Sequence, residues 1–247
     1  MRRFGVLRHA WWVCAECGCA SRDHLARAPR DAWFAHPDPR FGERERAELD
    51  GWFTLLDLAP RGAVLDVGGG PGFAAAHLAG RPGVERVVLL EYSHPAVDHA
   101  RRLGVEAYPF DFDGADLTAV VAGPFDLFLV RYAMAWCADA PRFVRGLAEL
   151  AAPGAHVLVT WALPNRGSMW VSAHEAAAPA VLWSEAALDR AFLAAGWRPR
   201  ARFVPSPPLA YPHGGARALV TLPQVLRPHP LPLDLRQAHA GRVYERT

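Results

Sequence analysis

The residues most able to do chemistry lie in Val64-Leu65-Asp66-Val67-Gly68-Gly69-Gly70-Pro71-Gly72. An apolar run enters a glycine-dense turn, and small helix-forming residues follow at once. Glycine is needed where backbone must touch a ligand or take positive φ. Strand-to-helix turns of this kind carry ligands at the carboxyl ends of strands in open α/β sheets. A dinucleotide fingerprint would want glycine at position 73, where Phe73 stands, and a phosphate loop would want Gly-Lys-Ser/Thr, which is absent. A tight turn without ligand is the plain alternative. Glu91 lies about 20 positions past the loop, at the end of a second apolar run, where a carboxylate can accept from two ribose hydroxyls. Its alternative is a solvated loop acid. A third run ends in Phe110-Asp111-Phe112-Asp113, an acid beside aromatic rings, or an Asx turn before Gly114.

The pattern Asp-x-Gly-x-Gly-x-Gly at 66–72, with Glu91, Asp111 and Phe112 in this order, resembles the class I S-adenosylmethionine-dependent methyltransferase family over roughly residues 42–225. The resemblance implies S-adenosylmethionine as cofactor. It makes Asp66, Gly68, Gly70 and Gly72 the wall around the methionine end. It makes Glu91, next to Tyr92, the ribose ligand, and Asp111 and Phe112 the adenine contacts, with Asp113 the alternative acid. Arg131 follows the fourth strand, where backbone lines the sulfonium. Related small-molecule enzymes carry a Glu-His pair near positions 135 and 136; this chain has Ala135 and Trp136.

Methyl transfer is an in-line displacement from a sulfonium cation. Holding the nucleophile about 3–3.5 Å from the methyl group supplies much of the acceleration, and excluding water supplies more. A general base is needed only where the acceptor must lose a tightly held proton. The acceptor pocket is expected over the strand ends, walled by residues 132–136 and 164–183, with 210–213 on the other side. Tyr132, His174 and His213 are the catalytic candidates, though a lone histidine is as readily structural. The 164–183 insertion holds Arg166, Met169, Trp170 and Trp183, and its aromatic content favours a flat or apolar acceptor.

Cys14-Ala15-Glu16-Cys17-Gly18-Cys19 contains the Cys-x-x-Cys-Gly turn of zinc knuckles. Zinc wants four ligands; Cys14, Cys17, Cys19 and His24, or His36 in its place, would supply them. Free thiols are the alternative reading, and a redox role the third. Cys137 reads as a core thiol.

The elements that must position these residues follow from periodicity. Helical spacing of Leu49, Trp52, Phe53 and Leu56 marks a helix over 42–57. Strands are expected at 63–67, 84–90, 105–110, 125–130, 156–161, 197–204 and 218–225. Helices are expected at 73–79, 95–103, 141–150 and from a Ser184 cap to 195, with Gly196 past its end. The alternation predicts a doubly wound, Rossmann-like α/β fold with a seven-stranded, mostly parallel sheet and helices on both faces. Residues 1–39 read as a small Cys-containing appendage, 40–226 as the methyltransferase domain, and 227–247 as a Pro-rich tail.

Composition bounds the rest. Of 247 residues, 51% are hydrophobic, enough for a sizeable core, and the net charge is only +2. The basic residues are all arginine, as GC-rich coding produces. This balance argues against nucleic-acid and anionic-membrane partners and for a small-molecule acceptor, with specialised metabolism the expected setting. No apolar run approaches the roughly 18–20 residues of a membrane helix, and Arg8, Glu16 and Arg22 interrupt any signal-peptide core. The expected compartment is the cytoplasm.

Overall fold

The computed structural model describes residues 2–6, 9–22, 37–112, 116–137, 139–164, 181–205 and 239–247. Strand β1 spans Arg2–Val6, β2 His9–Val13 and β3 Ala20–Arg22. Helix α1 (Pro39–Leu55) begins earlier than the apolar spacing alone places it, because Asp38 caps it and Pro39 supplies its first turn. Then come β4 (Gly62–Val67), α2 (Phe73–Ala79), β5 (Val84–Glu91), α3 (His94–Arg102), β6 (Glu106–Pro109) and α4 (Leu117–Val120). After these follow β7 (Phe125–Arg131), a 3-10 turn at Met134–Trp136, α5 (Ala140–Glu149), β8 (Ala151–Ala162) and β9 (Val181–Leu182). Helix α6 (Glu185–Ala194), β10 (Trp197–Phe203) and β11 (His239–Arg246) complete the described chain.

The large sheet has seven strands in the order β10-β11-β8-β7-β4-β5-β6. Strands β8, β7, β4, β5 and β6 pair in parallel, while β11 runs antiparallel to both β8 and β10. The expected mostly parallel sheet is therefore present. Alternate strand residues face opposite ways, so the sheet builds two cores. One joins Leu65, Val67, Val88, Leu90, Phe128 and Val130 to residues of α4, α5 and α6. The other joins Val64, Leu89, Leu127 and Leu129 to residues of α1, α2 and α3. The chain moves outward from β4 through β5 to β6 and then returns to lay β7 against the other side of β4. The mouth of the sheet between β4 and β7 is its switch point, where such folds bind ligands.

Two features go beyond the sequence reading. The strand expected at 218–225 lies outside the described residues. The sheet takes its remaining strand from His239–Arg246, inside the segment read as a tail. There Val243 and Tyr244 are buried; Tyr244 stacks on Phe192 at 3.9 Å and donates to Asp189. Short alternation next to a Pro-rich stretch carries little local signal, and burial against β8 and α6 supplies the stability. The appendage is also more ordered than its lack of periodicity implied. Strands β1, β2 and β3 form an antiparallel sheet that is joined by β9, with Ala20 opposite Leu182 and Ser21 opposite Val181. Trp11, Ala20 and Leu182 close its small core. That pairing joins residues far apart in sequence, so no local pattern announces it.

Candidate functional site

The loop after β4 is built on backbone that few residues other than glycine tolerate. Gly68 has φ 72°, and a Cβ there would lie 2.6 Å from the Ala133 Cβ and 3.5 Å from the Phe112 ring. Gly72 has φ 86°, and a Cβ there would lie 2.5 Å from the Ala100 Cβ. Gly70 is also left-handed, with φ 57°. Bare backbone at Gly68 thus faces the residue after Tyr132 on one side and Phe112 on the other. From α3, His99 Nδ1 lies 2.7 Å from the Pro71 carbonyl oxygen, bracing the loop from outside.

Glu91 ends β5 beside this loop and is buried. Its Oε2 accepts from the Gly70 N–H at 3.0 Å and its Oε1 from the Ser93 N–H at 3.0 Å. It is no solvated loop acid. It ties the glycine turn to the start of α3. Tyr92 beside it is exposed. Asp111 and Phe112 are half-buried after β6, and Phe112 packs edge-on against Phe110 at 5.3 Å. Asp113 lies outside the described residues.

Asp66 and Arg131 meet, but through their side chains. Arg131 Nη2 lies 3.4 Å from Asp66 Oδ2, and its Nη1 donates to Glu45 Oε1 of α1 at 2.8 Å. Asp66 is wholly buried, and Arg131 nearly so. Glu48, one turn further along α1, also acts on this guanidinium. Burial pushes the Asp66 and Glu45 carboxyls up, against the pull of Arg131. Burial likewise raises Glu48, to about 7. On Arg131 burial works to lower the value, but the carboxylates of Glu45 and Asp66 outweigh it and hold the guanidinium firmly charged. Glu45 and Glu48 carry no motif; each stands one turn before an apolar residue of the buried stripe, Leu49 and Trp52, on the same side of α1. Their one sequence signal is acidic residues on the helix preceding the glycine strand.

Past Arg131, Tyr132 takes the left-handed conformation at φ 55°, which costs a residue with a side chain of order 1–3 kcal/mol and concentrates at functional sites. Its N–H donates to the Thr160 carbonyl at 2.9 Å. The following turn is held from the insertion side. Trp183 Nε1 donates to the Met134 carbonyl at 2.9 Å, and Trp161 Nε1 donates to the Trp183 carbonyl at 2.9 Å. His174 and His213 lie outside the described residues, as do Arg166, Met169, Trp170 and residues 210–213.

The cysteine cluster does not meet the zinc expectation. Among the described residues no group of three or more His, Cys, Asp or Glu is placed to hold a metal ion. His24 and His36 lie outside them. Cys14, Cys17 and Cys19 form a hairpin turn docked on Ser184, where Cys19 Sγ accepts from the Ser184 N–H at 3.5 Å. Cys137 is a buried core thiol, as expected. Among the described residues no helix is long and apolar enough to cross a membrane.

The glycine cradle, the buried acid after β5 and the aromatic ring over Gly68 fit a nucleoside linked to a short polar chain. A family model described as a methyltransferase domain matches residues 41–201. The biotin biosynthesis bifunctional protein BioHC of Cellvibrio japonicus is 30% identical over 110 residues, 43% of this chain and 22% of that protein, so the match spans only about a fifth of its length. A chain in the Haloferax volcanii complex of the Trm112 methyltransferase activator with a methyltransferase has a TM-score of 0.63 at 20% identity, covering 89% of this chain and 98% of that one. Magnesium protoporphyrin IX methyltransferase of Synechocystis PCC 6803, solved with S-adenosylmethionine bound, has a TM-score of 0.52 at 14% identity, covering 85% of this chain and 82% of that one. These structural likenesses concern the fold.

Proposed function

We propose, for a chain that belongs to the class I S-adenosylmethionine-dependent methyltransferase family, that the methyl acceptor is a small, flat or apolar metabolite. The carrying observation is the acceptor-side turn: strained Tyr132 and the Met134–Trp136 segment, clamped by Trp183 at the mouth of the sheet beside Gly68. A net charge of +2 offers no electrostatic footprint for nucleic acid. The names of BioHC and of the magnesium protoporphyrin enzyme, both small-molecule enzymes, lend the reading support. We place the reaction in the cytoplasm and in specialised metabolism.

When bound, S-adenosylmethionine supplies an electrophilic methyl group on a positively charged sulfur. The chain's own contribution is then positional. The backbone at Gly68, Gly70 and Gly72 admits the methionine end without side-chain obstruction. Glu91 accepts from the ribose hydroxyls while keeping its two backbone donors. Asp111 accepts from the adenine amino group, and Phe112 covers the ring. Asp66, Arg131 and Glu45 lock β4, β7 and α1 together, so the two walls of the cleft keep their spacing. Tyr132 is the proposed wall of the acceptor pocket, or its proton acceptor. His174 and His213 stay proposed bases for an acceptor that must lose a proton.

Incubating the full chain with methyl-labelled cofactor and a metabolite extract, a total RNA fraction and a protein lysate tests this reading. Label in a low-mass product supports it. Label confined to RNA or protein overturns it in favour of a macromolecular acceptor. Turnover of a metabolite without label would mark a cyclisation or rearrangement on the same fold.

A further inference from the structure

The glycine loop, Glu91 and the adenine contacts leave one feature unused: α1 sends acid into the sheet. Gly42 brings α1 against Phe73, the residue that follows the glycine loop, and Glu45 stands one turn further on the same side of the helix. Asp66 lies against the loop itself, since a Cβ at Gly69 would lie 2.6 Å from its Oδ2. Arg131 and Thr160 are register partners at the ends of β7 and β8. Arg131 gives Nη1 to Glu45 Oε1 and Nη2 to Asp66 Oδ2, so each carboxylate spends one oxygen on the guanidinium. The other oxygens, Glu45 Oε2 and Asp66 Oδ1, are buried and have no hydrogen-bond partner among the described residues. Arg131 Nε and Thr160 Oγ1, buried in the same cluster, also lack one. Asp66 and Thr160 are wholly buried. A buried polar atom without a partner is costly, more so on a charged group, and four in one cluster point to a ligand. Two orphan acceptors on carboxylates lie beside two orphan donors. An α-amino-acid zwitterion complements that polarity, whereas the guanidinium between the carboxylates would repel a metal ion.

We propose, resting on the cofactor site described above, that Glu45 Oε2 and Asp66 Oδ1 receive the α-ammonium of the cofactor's methionine end, with Arg131 holding the two carboxylates in place. Glu45 is then a binding residue that lies outside the motif series and comes from the helix before it. An ammonium has three donors and no acceptor, so two carboxylate oxygens suit it and a carbonyl pair would suit it less. Both bonds are charge-assisted, and burial keeps water from competing for them. The consequence is selectivity: the site distinguishes an adenosyl thioether that carries an α-amino group from one that does not.

Calorimetric titration of the full chain with S-adenosylhomocysteine, and with its analogue lacking only the α-amino group, tests this. The native chain is expected to bind the deaminated analogue about tenfold to a hundredfold more weakly. Glu45→Gln keeps an acceptor for Arg131 and removes the charge. In that variant the ratio is expected to fall to about threefold or less, because S-adenosylhomocysteine loses affinity and the analogue does not. A merely structural role for Glu45 would weaken both ligands alike and leave the ratio unchanged, and that result overturns the proposal. A native ratio near one overturns it as well, leaving water as the partner of these oxygens. A native chain that binds neither compound would overturn the cofactor reading itself, a failure distinct from a lost ratio. Urea denaturation checks that the variant is folded. Should Glu45→Gln not fold, Glu45→Asp decides: it keeps the charge but withdraws it by one methylene, so the ratio must fall, and an unchanged ratio overturns the assignment.

Discussion

At the residue scale, Glu91 has two duties where its place in the sequence suggested one. It accepts from the Gly70 and Ser93 N–H groups and is buried. Glu91→Ala is therefore expected to weaken S-adenosylhomocysteine binding by about 2–3 kcal/mol, tenfold to a hundredfold or somewhat more. It should also lower folding stability by about 2 kcal/mol, because two backbone donors lose their acceptor. Calorimetric titration and urea denaturation separate the two effects. An unchanged affinity in folded protein would remove the ribose assignment. Arg131 makes a sharper case. Asp66 and Glu45 both lean on its guanidinium. Arg131→Met leaves two buried carboxylates facing each other, a loss of about 3–5 kcal/mol. Both carboxyls are already raised by burial, so the variant can neutralise them by protonation. Its deficit in urea denaturation should be larger at pH 8 than at pH 5. A deficit independent of pH would mean that the pair is not electrostatically coupled.

At the element scale, α1 carries the informative charges. Its apolar face packs on the sheet through Leu49, Trp52 and Phe53, and Gly42 lets it approach so closely that a Cβ would lie 2.6 Å from the Phe73 ring. Its acidic residues then reach the guanidinium at the end of β7. Glu48 holds its proton more tightly in the folded chain than in the unfolded one, with a value of about 7 against 4.5. The folded state binds the extra proton between these values, so stability falls as pH rises through that window. Burial moves Glu45 and Asp66 in the same direction. Glu48→Gln removes one of these titrating groups. Chemical denaturation of native and variant chains from pH 4.5 to 7.5 should show a shallower decline in the variant; parallel curves would exclude Glu48 as a contributor. Helix periodicity located α1, but not this interaction, because polar residues on a helix read alike whether they face water or a buried cation.

At the scale of the whole molecule, the sheet is completed by the end of the chain. Strand β11 lies between β8 and β10, pairs with both, and is fastened to α6 by Tyr244 and by the Arg242–Asp189 ion pair at 2.9 Å. Truncation after residue 238 removes an interior strand and exposes β8 along its length. The truncated chain is expected to lose cooperative thermal unfolding and S-adenosylhomocysteine binding together. A soluble truncation that still binds would show that β11 is dispensable. The glycine loop, Glu91 and the alternation of strands and helices from 62 to 203 could be read directly from the sequence. Each depends on local chemistry: positive φ at Gly68 and Gly72, short apolar runs of fixed period, and capping by Ser184. The tertiary structure alone decided that Glu91 also holds the loop, that Arg131 turns inward to Asp66 and Glu45, that β9 joins the N-terminal strands, and that residues 239–246 enter the sheet. These depend on contacts between residues distant in the chain, where burial and charge pairing outweigh local preference, and no periodicity records which distant partner a residue will meet.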